Sequence, residues 1–465
     1  MAEEQSPLTV LANRLEITNN NGLVTKDLRQ IYDECNYYES IFSPMTSMNM
    51  VVTDGLDLRT SLPIVGGELV RFGFSDTWED DTGFPATITN GSPYHDWIEM
   101  KHGLHKFDKI KYGEQIEKRH PMRVYKILDR KRIRDRVNKY VIACVTQDQI
   151  TSSYKQIDST YRGMTCAEIV NSILNDSFGV GLNSYDETVG SARFTFARQP
   201  PIAAILKIAG EAESKNSDSN FFFWQTNSGY HFHTLSSLLN RSPVRKFIYM
   251  TGNAEGDDKA EGNRILKMEE STTFDILDGI TEGQYGVNVK YFDPVSQAMF
   301  ENSYSHANEY YPKNWEKKDR TTHPFIPQNI SKEFSDKNSL EKYLVSNFVS
   351  HHNSYCTERD YVIRNEFRRR QNFVAHDTAV RSQLKTNSLE LLVAGDSNIH
   401  AGDVIEVEIS ASGEKKLTEE LRDRFSSGKY LVSAVRHSFT GKLYFTNMTV
   451  SKASYLKNPD TIGDF

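Results

Sequence analysis

The segment Gly402-Asp403-Val404-Ile405-Glu406-Val407-Glu408-Ile409, followed by Ser427-Gly428-Lys429-Tyr430-Leu431-Val432-Ser433-Ala434-Val435-Arg436-His437, constrains the fold more than any other part of the chain. Ile405, Val407 and Ile409 recur at every second position, with Glu406 and Glu408 between them. A strand places successive side chains on opposite faces, so this pattern demands a sheet with one face covered. Gly402-Asp403 turns the chain into the first strand, Ser427-Gly428 turns it into the second, and Phe439 to Val450 supplies a third around the Thr440-Gly441 turn. Three strands are too few to bury that face alone, and the sheet must recruit more chain.

At 465 residues the chain has room for about three or four domains of roughly 100 to 200 residues each. It is 38% hydrophobic and 25% charged, with 25 Phe and 23 Tyr, a globular composition rich in residues that suit sheets and interfaces. No stretch approaches the roughly 18 apolar residues of a membrane span, and Met1-Ala2-Glu3-Glu4-Gln5 is acidic where a signal peptide is basic. The expectation is assembly in the cytoplasm without membrane insertion. Cys35, Cys144, Cys166 and Cys356 form no Cys-x-x-Cys pair, so they predict reduced, buried thiols rather than a zinc or redox site. A net charge of -7 argues against general nucleic-acid affinity, which needs a basic surface to displace counterions.

The period of the pattern changes along the chain. Residues 1–36 form an N-terminal segment with a strand at Leu8 to Ile17 and a turn at Asn19 to Gly22. Residues 37–160 carry β alternation: Met48, Met50 and Val52, then Leu69 to Phe74, then Arg123 to Leu128 pairing with Tyr140 to Thr146. Residues 161–250 are an α+β insert. Thr165-x-x-Glu168 is a capping box ahead of the stripe Ile169, Val170, Ile173 and Leu174, and Pro201 opens a helix with Ile202, Ile205, Leu206 and Ala209 on its buried face. Phe221 to Thr226 and Tyr230 to Leu235 then form a hairpin around Asn227-Ser228-Gly229. Residues 251–384 are a mixed peripheral domain with a short helix at Phe274 to Ile280, a strand at Tyr285 to Phe292, an extended loop over 301–335, a helix on Leu340, Tyr343, Leu344, Asn347 and Phe348, and strand-like alternation from Tyr361 to Val374. Residues 385–465 hold the terminal meander.

Three N-terminal motifs stand in fixed order before that meander: Tyr38-Glu39-Ser40-Ile41-Phe42-Ser43-Pro44, Val51-Val52-Thr53-Asp54-Gly55-Leu56-Asp57-Leu58-Arg59, and Leu62-Pro63-Ile64-Val65-Gly66-Gly67-Glu68. Together with the Gly-Asp and Ser-Gly-Lys-Tyr strands and their Arg-His ending, they resemble the baseplate central hub proteins of contractile-tailed bacteriophages. The resemblance covers roughly residues 30 to 180 and 385 to 456. It implies a multidomain, mainly β protein with α+β inserts, in which two tube-like β-barrel domains per subunit form a pseudo-sixfold trimeric ring. The first barrel would be residues 37–160, and the terminal meander would complete the second.

Such a homotrimer would adapt the sixfold tail tube to the threefold central spike and form part of the DNA channel, because three copies of a two-barrel chain present six similar surfaces. The implied partners are the spike, tail tube, tape measure and baseplate wedge proteins, with DNA only in transit, and the implied location is the tail baseplate of the virion. The family motif positions Pro44, Gly55, Leu62, Pro63, Gly66, Gly402, Asp403, Gly428, Tyr430 and His437 are expected to be structural. Three subunits carry 3 × -7 = -21, so a lumen of that sign would repel passing DNA.

No catalytic constellation, metal site or cofactor site is evident. Arg130-Lys131-Arg132-Ile133-Arg134-Asp135-Arg136 sits at a predicted hairpin tip without the aromatic platform of a single-strand binder, and Arg368-Arg369-Arg370 repeats it in short form. His231 and His233 share a strand face but lack a third ligand, and His351-His352 diverge if helical. His437 is expected to bond within the terminal sheet. Glu79, Asp80 and Asp81 reflect the abundance of 62 acidic residues, and Gly252 to Gly262 lacks the Lys-Ser/Thr of a P-loop. The competing functions are a peptidoglycan-degrading tail enzyme, for which no motif is found, and a carbohydrate- or receptor-binding β-protein. The latter requires Phe221-Phe222-Phe223-Trp224 to be exposed rather than core.

Overall fold

A computed structural model describes residues 11–75, 122–215, 219–249, 263–272, 276–283, 286–293, 298–305, 346–351, 377, 381, 384, 388–410, 423, 426–441 and 443–452. Glu79, Asp80, Asp81, the Gly252 to Gly262 run, residues 306–345, His352, Cys356, Tyr361 to Val374 and Arg368-Arg369-Arg370 lie outside the described residues.

The first barrel-like unit is built from β1 (Leu11–Thr18), β2 (Thr25–Asp27), β3 (Tyr32–Ser40), β4 (Ser47–Asp54), the one-turn α1 (Leu58–Ser61), β5 (Leu69–Ser75), β6 (Met122–Arg134) and β7 (Val137–Thr146). Its antiparallel strands follow the order β3-β4-β7-β6-β5-β1-β2. Leu15 and Ile17 of β1 share one buried core with Cys35 and Tyr37 of β3 at the far end of that order, so the sheet wraps around its contents. The N-terminal segment before residue 37 contributes β1, β2 and the start of β3 to the sheet. Asp54, almost fully buried, fixes the next turn: its carboxylate accepts the Leu56 and Leu58 N–H groups at 3.0 and 2.9 Å and the Tyr140 hydroxyl at 3.1 Å.

The insert contains α2 (Gln147–Tyr154), β8 (Ile157–Met164), α3 (Cys166–Phe178), β9 (Leu182–Tyr185), β10 (Ala192–Gln199), α4 (Pro201–Ala209), β11 (Phe221–Thr226), β12 (Gly229–Thr234) and α5 (Leu235–Leu239). The capping box forms: Thr165 Oγ1 accepts the Glu168 N–H, and Glu168 Oε2 accepts the Thr165 N–H at 2.8 Å. α4 starts at Pro201, but Leu206, expected on its buried face, is 45% exposed, while Ala204 and Ile208 turn inward. The small sheet β11-β12-β9 sends Phe221, Phe223, Tyr230 and Phe232 into a core shared with α3 and α4. Those aromatics, with Phe222 and Trp224, are buried and so cannot serve as a sugar-stacking surface.

The remainder comprises β13 (Arg245–Tyr249), β14 (Ile265–Thr272), α6 (Ile276–Glu282), β15 (Gly286–Asp293), β16 (Ala298–Ser305), β17 (Ser346–His351), β18 (Ser388–Ala394), β19 (Val404–Ile409), β20 (Gly428–Thr440) and β21 (Leu443–Ser451). Asn347 and Phe348, expected in a helix, lie in β17, which pairs in parallel with β15. Strand pairing there overrides the local helical stripe. β14, β18, β21, β20, β19 and β13 pair in succession, and the Ile248 N–H donates to the Asn263 carbonyl at 2.8 Å beside an Ile248–Arg264 bridge. That contact returns β13 to β14 and closes a six-stranded barrel. Ile405, Val407 and Ile409 point into its core, whereas Val404 faces a separate cluster with the insert. β13 and β14 come from residues the sequence assigned to the insert and the peripheral domain, because nothing local marks which sheet a short strand will join.

β20 belongs to both barrels. Its first residues, Gly428 to Leu431, pair with β19, whereas Ala434 to Thr440 pair with β3 of the first unit. A register shift at Val432/Ala434 marks the handover, and β21 runs along the opposite edge. Phe439 and Tyr444 consequently sit in the core of the first unit. Tyr444 also leaves no room beside Gly395, where an added Cβ would lie 1.9 Å from Tyr444 Cδ1. Gly395→Ala is expected to cost about 1–3 kcal/mol by overpacking; an unchanged midpoint in urea unfolding would contradict this packing.

Candidate functional site

The two barrels and the insert meet at one buried carboxylate. Glu39, 1% exposed on β3, accepts the Asn227 N–H from the β11–β12 turn at 3.1 Å through Oε1. Its Oε2 accepts the Ala401 N–H at 3.3 Å and bonds His400 Nδ1 at 3.1 Å, both from the turn that leads into β19. Burial would raise the Glu39 carboxyl, but His400, His437 and the Asn227 N–H outweigh it and hold the group below the usual carboxylate range. Trp224 of β11 donates its indole N–H to the Ala401 carbonyl at 3.0 Å and crowds Gly402, where an added Cβ would sit 2.6 Å from Cζ2. Gly402 also has φ +93°, a conformation that favours glycine. Asp403 closes the same turn by accepting the His400 N–H at 2.8 Å, and Arg241 donates to the Gly402 carbonyl at 3.2 Å.

On the other side of Trp224 the insert carries a hydrogen-bonded relay. A register shift between Leu182 and Ser184 in β9 brings Ser184 opposite His231. Ser184 Oγ lies 2.7 Å from His231 Nδ1 and 2.9 Å from His233 Nε2. His233 Nδ1 is 2.8 Å from Asp186 Oδ1, and Asp186 also accepts the Thr234 N–H and the hydroxyls of Thr234 and Ser237. Thr226 and Ser228 hydroxyls meet His231 Nε2 at 2.8 and 2.9 Å. One direction satisfies every group: a hydroxyl donates to His231, His231 to Ser184, Ser184 to His233, and His233 to the acceptor-only carboxylate of Asp186. The His231 ring stacks on Trp224 with centroids 5.2 Å apart. Burial, reinforced by His233, depresses its pKa to about 3.

The expected positions thus divide. Gly402 and Asp403 are at the junction, while Gly428, Tyr430 and His437 lie along β20: Gly428 opens the strand with φ +139°, Tyr430 donates its hydroxyl to the Ser426 carbonyl, and His437 Nδ1 meets the Tyr444 hydroxyl at 2.8 Å. Pro44 occupies the β3–β4 turn, Gly55 the turn held by Asp54, and Leu62 the first core, with Pro63 exposed beside it. Gly66, at φ +110°, accepts a bond from Asn20 Nδ2. His231 and His233 share a face, as their spacing predicts; Ser184 and Asp186 gave no sequence signal because the bulge that brings them there is not encoded in a periodic pattern. Cys35, Cys144 and Cys166 are all buried. Among the described residues no group of three or more His, Cys, Asp or Glu is arranged to hold a metal, and no helix is long and apolar enough to cross a membrane.

The depressed His231 pKa has a defined pH signature. The unfolded chain takes up a proton on this imidazole near pH 6.5 and the folded chain only near 3, so stability falls as pH drops through that window. Glu39 and Asp186, both held low, add losses only below their ordinary values, whereas Asp403, raised by burial, offsets part of the effect. His231→Gln is expected to flatten the decline of the thermal midpoint between pH 6.5 and 4.5; parallel curves for variant and wild type would refute the assignment.

No protein-family model and no curated relative matches the sequence. Solved structures do. A tail protein from Neisseria meningitidis MC58 superposes with a TM-score of 0.51 at 8% identity, over 96% of this chain and 97% of that one. The 43 kDa tail protein of prophage MuSo2 from Shewanella oneidensis gives 0.49 at 9% identity over 95% and 98%. Prophage tail protein gp18 from Listeria monocytogenes EGD-e gives 0.42 at 9% over 97% of each chain. At 8% identity the likeness to the Neisseria protein concerns the fold alone, which this chain shares over nearly its whole length.

Proposed function

We propose that the chain is a structural hub of a contractile phage tail baseplate, acting as a homotrimer that adapts the sixfold tail tube to the threefold spike and surrounds part of the DNA channel. The observation that carries this reading is the single sheet running through two barrel-like units, with β20 common to both. A rigid pair of barrels per subunit is what a threefold assembly needs to present six positions. The shared fold with a tail protein supports it. In this reading the site is a joint, and the ten motif positions work by fixing turns and packing. Spike, tube, tape measure and wedge proteins are the partners, and the virion baseplate, assembled in the host cytoplasm, is the location.

The trimer is testable by light scattering of the purified chain, alone and co-expressed with the spike protein of the same phage. A mass of about three times 53.2 kDa and a stable spike complex are expected; a monomer that ignores the spike would defeat the proposal.

One observation favours a second reading. Ser184, His233 and Asp186 have the connectivity of a hydrolytic triad, with Nε2 toward the hydroxyl and Nδ1 toward the carboxylate. Against it, Ser184 Oγ is also held by His231, and the relay stacks on the Trp224 that locks the joint. As part of the scaffold, Ser184 should form no adduct with a fluorophosphonate probe, and Ser184→Ala should cost about 1–3 kcal/mol of stability. Covalent labelling at Ser184, or clearing of cell wall in zymograms, would establish the enzyme instead.

A further inference from the structure

Beyond Leu128 the β6–β7 hairpin leaves the barrel core and continues as a two-stranded ribbon. Every residue from Asp129 to Arg136 is exposed, including Ile133 at 52%. A ribbon of this kind is marginal on its own, since two strands have no layer to bury against. Its charges make it more so. Arg130 to Lys139 holds six basic residues and one acidic, a net of +5, and the register places Lys131 directly across from Lys139. Like charges opposite one another destabilise a strand pair. Among the described residues two carboxylates respond: Asp135 pairs with Arg132 at 2.9 Å, and Asp33 pairs with Lys139 at 2.7 Å.

The rest of the chain carries the complement. Removing +5 from a total of -7 leaves -12 on the remaining residues. Register shifts at Leu128/Lys131 and Arg132/Arg134, with φ +50° at Asp129 and +66° at Arg136, twist the ribbon and spoil its edges for strand addition. Recognition must then go through side chains. No aromatic residue lies between Arg130 and Lys139, so bases would find nothing to stack on.

We infer that residues 129–138 form a docking arm that seats on an acidic surface of a neighbouring copy of this chain. The inference rests on the trimer proposed above and names the contact that holds it. Carboxylates of the neighbour would relieve the repulsion between Lys131 and Lys139 and engage Arg130, Arg134 and Arg136, while Ile133 would gain cover.

The test uses the full chain and the triple variant R130E/R132E/R134E. At about 50 mM salt the wild type should scatter as a trimer and lose mass at about 500 mM, where screening shortens the reach of exposed charges. The variant should be monomeric at both, with a thermal midpoint close to the wild-type monomer because the altered side chains are exposed. Carbodiimide treatment of mixed light and heavy wild-type copies should join Lys131 to a carboxylate of the other copy. A trimeric variant, or a wild-type trimer without such a cross-link, overturns the arm and leaves the hub reading standing. A monomeric wild type overturns both. Retention of a fluorescent DNA by the wild type but not the variant, with equal masses, would reassign the ribbon to nucleic acid and overturn the inference.

Discussion

A carboxylate that has lost its water must be met by donors, and Glu39 finds them only when three parts of the chain are in place. The turn of the insert supplies one N–H, and the approach to β19 supplies another together with an imidazole. Removing any one of these leaves a charge in the interior with part of its desolvation uncompensated, which is among the more expensive defects a protein can carry. The charge therefore contributes little net stability compared with an apolar substitute, but it strongly disfavours every arrangement in which barrels and insert meet differently.

Packing acts in the same direction at the same place. Ile41 from the first unit, Phe222, Trp224, Leu235 and Leu238 from the insert, and Ala401, Val404 and Leu431 from the second barrel form one apolar cluster. Trp224 works twice, filling the space over Gly402 and spending its indole N–H on Ala401. The His231–Ser184–His233–Asp186 relay lies on the same face of the sheet as this tryptophan and packs its two imidazoles on the indole. Direction-specific polar bonds and a close-packed glycine set the relative orientation of the units; nonspecific burial alone would tolerate several.

The periodic elements were legible in the chain itself. Alternation at Met48, Met50 and Val52 and along β19, the capping box at Thr165, and the Phe-rich hairpin each depend on neighbours a few residues away, and each forms where expected. Membership of a sheet was not legible. β13 and β14 join a barrel whose other strands lie more than a hundred residues later, and β17 adopts a strand because β15 offers an edge. The junction is half visible in the sequence: Gly402 and Asp403 stand at a strand entry, but Glu39 is only one letter of a motif until its distant partners surround it. Ser184 and Asp186 were silent, since a bulge rather than a repeat brings them to the histidines.

The sharing of β20 also governs the order of events during synthesis. β3 finds its second neighbour only in residues 434–440, and the Tyr32 hydroxyl waits for the Gly441 carbonyl some four hundred residues downstream. Until the ribosome has delivered residues 434–444, the first unit keeps an open strand edge and lacks Phe439 and Tyr444 from its core. Closure over so long a loop is slow, and an unpaired strand edge is prone to aggregation while it lasts. A polypeptide cut short before β20 would lose not one barrel but the integrity of both.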